Sequence, residues 1–225
     1  MFADTAYVSN DFNTAFEEFK NHLTEQGMVL PVLSTNMRNQ KNIVSVTVQG
    51  GYVDYKVKDF IKKLECGSTV VGEIPSLVKI KRHDWATKKC EVLKHVIDSM
   101  KKKNNKNIVV LHGAQLKSED LKSDLINITN KTIVVYPTPK NKQQGIANIQ
   151  TFIQNDNCIL VTRSRYFNGS ESSNVIYIEN AVDATSTRSS LMRAVEHLTI
   201  IQIINNATIN DYTYTGMKEE CKFLT

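Results

Sequence analysis

The chain reads as an α/β protein in which a parallel or mixed sheet is covered by helices. Short apolar runs rich in β-branched residues recur at residues 108–111, 132–135, 159–161, 175–178 and 199–204. Runs of that kind mark strands buried on both faces. Between them lie stretches with apolar residues at helical spacing, over residues 88–103, 116–128 and 146–153. Strand and helix alternate, the rhythm of strand-helix-strand units. The division read from this pattern is one domain over residues 1–204 and a polar tail over 205–225.

Taken in order, residues 12–25 carry Phe12, Ala15, Phe16, Phe19 and Leu23 at helical spacing, with Asn10 or Asp11 to cap and Gly27 to end the helix. Residues 28–30 form a short strand stopped by Pro31. Ile43, Val44 and Val46 suggest a brief helix or strand, and Gly50-Gly51 a turn. A helix over 57–64 buries Phe60, Ile61 and Leu64. Strands are expected at 69–71 and 77–80, around Gly72 and Pro75. Trp85 is read as a core anchor at a helix start. The longest helix, 88–103, has Cys90, Val92, Leu93, Val96, Ile97 and Met100 on its apolar side, and Asn104-Asn105 breaks it.

The strand at 108–111 ends in His112-Gly113. His112 is read as a structural histidine, because the chain shows no convergent base or nucleophile motif. A helix over 116–128 and a strand over 132–135 follow, closed by Pro137 and Pro139. After a polar loop at 140–144, the helix 146–153 and a turn at Asp156-Asn157 lead into the strand 159–161. A polar connection bearing Thr162, Arg163, Arg165, Gly169 and Glu171 joins it to the strand 175–178. Leu191, Ala194, Val195 and Leu198 then fall at helical spacing, which predicts a helix over 187–198 with Arg188 at its start and Arg193 in its middle.

An apolar share of 41% and a charged share of 23% are ordinary for a globular protein. No apolar run approaches the roughly 20 residues of a membrane helix, and the amino terminus has no signal-peptide pattern, so an intracellular location (cytoplasmic or nuclear) and no membrane partner are expected. Cys66, Cys90, Cys158 and Cys221 are scattered, which indicates neither a zinc site nor a disulfide framework. The net charge is +5, but residues 78–106 hold ten cations against three acids, a local +7. That segment, with Lys101, Lys102 and Lys103 at its end, is a candidate phosphate-backbone footprint; a solvated helix face is the plain alternative.

Three stretches, in this order, resemble signature motifs of superfamily 1 helicases. Upstream stands Leu33-Ser34-Thr35-Asn36-Met37-Arg38-Asn39, where the family has Leu-x-x-Asn-Tyr-Arg-Ser. Next, the strand ending in Thr162 leads to Asn168-Gly169-Ser170-Glu171, where the family turns on Gly-Leu-Glu. Last comes Met192-Arg193-Ala194, where it has Thr-Arg-Ala. Ser170, Met37 and Met192 depart from that pattern. All three motifs belong to the second, C-terminal RecA-like domain of these motors, so the resemblance implies a P-loop NTPase-type three-layer sandwich.

It further implies roles. Arg193 is then the arginine finger on the transferring phosphoryl group, and Arg38 contacts the same phosphate. Glu171 faces the ribose, Gly169 allows close backbone approach, and Thr162 lies near the nucleic-acid backbone. The implied cofactor is ATP with Mg2+, and the implied partners are single-stranded nucleic acid and an N-terminal RecA-like domain in cis or trans. No Gly-x-x-x-x-Gly-Lys-Ser/Thr occurs, and no strand ends in an Asp-Glu pair. The expectation is therefore a domain that does not hydrolyse ATP alone: either part of a longer motor, or a shortened relative kept as a non-catalytic module that binds nucleic acid or protein.

Overall fold

The computed structural model describes residues 18, 21–22, 25–26, 35–36, 39–49, 65–66, 68–104, 106–137, 142–167, 169–179, 190–204, 217–220 and 223. Its elements are β1 (Thr35–Asn36), α1 (Lys41–Gln49), β2 (Glu65–Cys66), β3 (Ser76–Lys81), α2 (Arg82–Lys103), β4 (Ile108–His112), α3 (Ser118–Ile126), β5 (Thr132–Tyr136), α4 (Lys142–Gln154), β6 (Cys158–Arg163), β7 (Ser172–Glu179), β8 (Ala194–Ile204) and β9 (Lys218–Glu220). β1 pairs with β2. The other seven strands form one sheet in the order β5-β6-β4-β7-β8-β3-β9. Every pairing in it is parallel, so the expected parallel or mixed sheet is parallel.

The reason lies in the strands. β4 is buried along its whole length and β6 along all but its last residue, as strands with a helical layer on each face must be. Side chains alternate between two cores. On one face Val110, Val161, Ile176 and Ile201 meet Leu93, Val96, Ile97 and Met100 of α2 and Leu121 and Leu125 of α3. On the other, Val109, Leu111, Leu160, Tyr177 and Ile200 meet Ile43 and Val46 of α1, Phe167 and Leu191, with Ile149 and Phe152 of α4 at the margin. The result is the three-layer sandwich expected. Trp85 packs against the first core, in the anchoring role read for it. None of the described helices is long and apolar enough to cross a membrane.

Three expectations are corrected. Residues 69–71 form no strand: the carbonyls of Val70 and Val71 accept the amides of Lys41 and Asn42 at 3.0 and 3.1 Å, so they close the start of α1 instead of joining a ladder. Residues 43–46 belong to the helix α1, despite their β-branched content.

The helix expected over 187–198 is absent from its second half, because β8 already begins at Ala194. The apolar positions 194 and 198 fit a period of two as well as one of 3.6, and pairing with β7 along seven registered residues supplies the ladder. Arg193 thus sits in a turn and not mid-helix.

The stretch read as a polar tail contributes β9, paired to β3, and Phe223, which is buried in the first core. Glu220 accepts from or pairs with His95 at 2.7 Å, and the Phe223 ring stands edge-on to the same imidazole. These are contacts across more than a hundred residues, invisible to local periodicity. The strand at 28–30, the turn at Gly50-Gly51 and the helix at 57–64 lie outside the described residues, as does most of the helix at 12–25.

Candidate functional site

With all strands parallel, the sheet has an edge of strand starts and an edge of strand ends. Ser172 and Ala194, the first residues of β7 and β8, face each other in register. The turn carrying Gly169 and Glu171 and the turn carrying Arg193 therefore meet at the edge of strand starts. Two bonds join them: the Ser172 amide donates to the Arg193 carbonyl at 3.0 Å, and Arg193 Nη1 donates to the Ser170 carbonyl at 3.3 Å. Gly169 adopts φ +79°, a conformation that glycine reaches without cost.

Asn39 completes this rim. It is 1% exposed, and its Nδ2 donates to the carbonyls of Met192 at 3.0 Å and Ala194 at 2.5 Å. One side-chain amide thus grips the chain on both sides of Arg193, from 155 residues away in sequence. Nothing in the sequence assigns Asn39 a role. Its only signal was its place directly after Asn36-Met37-Arg38. Arg38 itself lies outside the described residues. Asn39 itself is bonded to the turn that carries Arg193.

Arg193 is 6% exposed, and its guanidinium is directed in part at the Ser170 carbonyl. The rim continues into a polar network. Glu196 accepts from Lys106 at 2.8 Å, Ser173 at 3.2 Å and Asn104 at 3.2 Å. The lysine contact holds the Glu196 carboxyl below the usual carboxylate range, ahead of the opposing effect of burial. Asn174, fully buried, donates to Asn104 Oδ1 at 2.7 Å and to the Asn107 carbonyl at 3.1 Å, which fastens β7 to the turn after α2.

Lys101, Lys102 and Lys103 end α2 at this same edge, since a helix that follows one parallel strand must return before the next begins. Lys101 donates to Thr129 and Asn130 at 3.0 and 3.3 Å, and Lys103 pairs with Glu73 at 2.5 Å. The Lys103 contact lowers the pKa of Glu73. Three cations in the last turn also complement the helix dipole.

Thr162 is elsewhere. It ends β6 on the edge of strand ends, is fully buried, and turns its hydroxyl toward the Arg163 carbonyl at 3.4 Å. It is not brought together with Arg193, Glu171 or the lysines. His112, at the end of β4, is also fully buried. Its Nδ1 donates to the Gly113 carbonyl at 2.8 Å, which leaves Nε2 to accept from the Ser118 hydroxyl at 2.8 Å. Burial lowers its pKa, outweighing the hydrogen bond to Gly113. Both ring nitrogens are occupied, which agrees with a structural histidine.

A triphosphate needs a cradle of amides and cations, and Mg2+ needs oxygens grouped around it. The Arg193 rim brings a largely buried, backbone-bonded guanidinium next to the turn that bears Glu171. It offers no phosphate loop, and no group of three or more His, Cys, Asp or Glu suited to a metal occurs among the described residues.

No protein family matches the sequence, and no curated protein does. Among solved structures, the chain is similar to the C-terminal domain of a possible DNA helicase from Lactobacillus plantarum WCFS1, at 13% identity over 82% of this chain and 98% of that one, with a TM-score of 0.49. It is similar to the C-terminal domain of the DEAD-box protein Dbp5, at 13% identity over 60% of this chain and 79% of that one, with a TM-score of 0.45. A DEAD box protein from the hyperthermophile Methanococcus jannaschii is similar at 16% identity over 69% of this chain and 44% of its own length, with a TM-score of 0.43.

Proposed function

We propose that this chain acts as the second, RecA-like motor domain of an intracellular nucleic-acid helicase or translocase of the superfamily 1 type. In this reading it presents Arg193 and Glu171 to an ATP held mainly by an N-terminal RecA-like domain, and it grips single strands. The observation that carries the reading is the Asn39 amide on the carbonyls of Met192 and Ala194, together with the Arg193 bond to Ser170. What supports it is that Asn39, the turn bearing Gly169 and Glu171 and the turn bearing Arg193, far apart in sequence, meet at one rim of a parallel sheet.

ATP bound there supplies the phosphoryl group and its leaving charge. Arg193 would then stabilise negative charge on the phosphoryl group, Glu171 would face the sugar, and Gly169 would allow close backbone approach. Lacking a phosphate loop, the chain does not turn over ATP alone. The test is fluorescence anisotropy of a labelled single strand and of a blunt duplex against rising salt. The reading expects preference for the single strand and a salt-sensitive affinity. Equal binding to both, or none at low salt, contradicts it.

One observation favours a second reading, a non-catalytic helicase-like module that binds nucleic acid or protein. Arg193 is almost wholly buried and bonded to the chain's own backbone, as a residue that shapes a rim needs to be. This module binds through the lysines of residues 78–106 and ignores ATP. Charge reversal at Lys101, Lys102 and Lys103 then abolishes strand binding, and ATP analogues change nothing.

A further inference from the structure

We propose that Tyr166, with Arg165 laid over it, is a platform on which an unpaired base of a single strand stacks. This rests on the nucleic-acid reading above and deepens it by naming residues that meet a base. Thr162, the residue the resemblance assigns to the strand, is fully buried with its hydroxyl turned to backbone. Contact at the edge of strand ends therefore falls to the side chains that follow it.

Those side chains are presented by a clamped turn. Residues Ser164–Tyr166 form a single 3-10 turn directly after β6. On one side of the exposed pair, Ser164 is buried and donates its hydroxyl to the His112 carbonyl at 3.4 Å. On the other, Phe167 is sunk into the second core and its amide donates to the Ser164 carbonyl at 3.1 Å. Arg165 and Tyr166 project from between two anchored neighbours, so little conformational freedom is left for a ligand to remove.

A lone exposed tyrosine is ordinary on a protein surface. This one is 40% exposed and carries a cation: Arg165 Cζ lies 4.6 Å from the ring centroid, and Nη2 donates to the tyrosine hydroxyl at 2.6 Å. An aromatic face with a guanidinium beside it is the pairing that holds a base by stacking and its phosphate by charge. No acid occurs between Asp156 and Glu171, while Arg163 adds a further cation at the strand end. The nearby acids Glu119 and Asp120 begin α3, which packs on the opposite face of the sheet from Phe167.

The experiment is anisotropy of a short labelled oligothymidylate, and of an abasic strand of equal length, with the full chain and its variants. Tyr166→Ala should weaken oligothymidylate binding by about fivefold to a hundredfold, which is about 1–3 kcal/mol. It should leave abasic binding unchanged, and Tyr166→Phe should bind both strands as the parent does. Equal affinity of Tyr166→Ala and parent for oligothymidylate, or an equal loss on both strands, overturns the platform, as does a Tyr166→Phe loss matching that of alanine. A parent chain that binds neither strand removes the nucleic-acid reading itself. Binding indifferent to Tyr166 removes only the platform.

Discussion

Replacing Arg193 with alanine should cost the fold about 3–5 kcal/mol. The guanidinium donates to the Ser170 carbonyl at 3.3 Å from a residue that is 6% exposed. A hydrogen bond from a charged donor contributes about 1.5–3 kcal/mol, and the two lost stem methylenes add about 0.8 kcal/mol each where they are buried. Arg193→Lys keeps the charge and the stem but loses the planar fork, so it should cost about half as much. Urea denaturation followed by circular dichroism measures both, and an unchanged slope would show that the denatured state is not what moved. An Arg193→Ala midpoint equal to the parent's would refute the reasoning, because the guanidinium would then hold nothing.

Two further outcomes are expected. Gly169→Ala should cost about 1–2 kcal/mol purely through its φ of +79°, since no atom lies within 4 Å of the added methyl; an unaltered urea midpoint would contradict that. For His112, burial lowers the folded pKa below the unfolded value near about 6.5. As pH falls below that value, the unfolded chain takes up a proton that the native one refuses. Stability should therefore be level above it and decline below it, by up to about 1.4 kcal/mol per pH unit, until the folded pKa is reached. His112→Asn should lack that portion of the decline in urea melts across the acid range. His197, also lowered chiefly by burial, is common to both proteins and cancels in the difference; identical pH profiles would contradict the assignment.

Much of the sandwich was legible in the sequence, because strands buried on both faces announce themselves as unbroken β-branched runs. The runs at β4, β5, β6 and β7 were found within a few residues of their observed bounds. The start of β8 was missed because positions 194 and 198 fit both periods, and only the neighbouring β7 decides between them. β9 was missed because three residues reading Lys-Glu-Glu have no strand character of their own. Their place is set by the edge of β3 and by the Lys79–Glu219 and His95–Glu220 pairs.

At the rim, the grouping of Gly169 and Glu171 with Arg193 could be anticipated only from motif order. Asn39 could not be anticipated, since its partners are backbone carbonyls far along the chain. Thr162 shows the opposite failure. Its position at a strand end was legible, but the direction of its side chain, fixed by packing between β4 and β5, was not.

The central claim concerns what the Arg193 rim faces. It is tested most directly by ATP turnover in a fusion that sets a P-loop-bearing RecA-like domain ahead of this chain. The account predicts turnover stimulated by a single strand. It also predicts that Arg193→Lys, shown folded by circular dichroism, loses turnover on the order of a thousandfold or more while strand binding persists. Turnover undiminished in Arg193→Lys would contradict it and leave Arg193 a residue that only shapes the edge of the sheet.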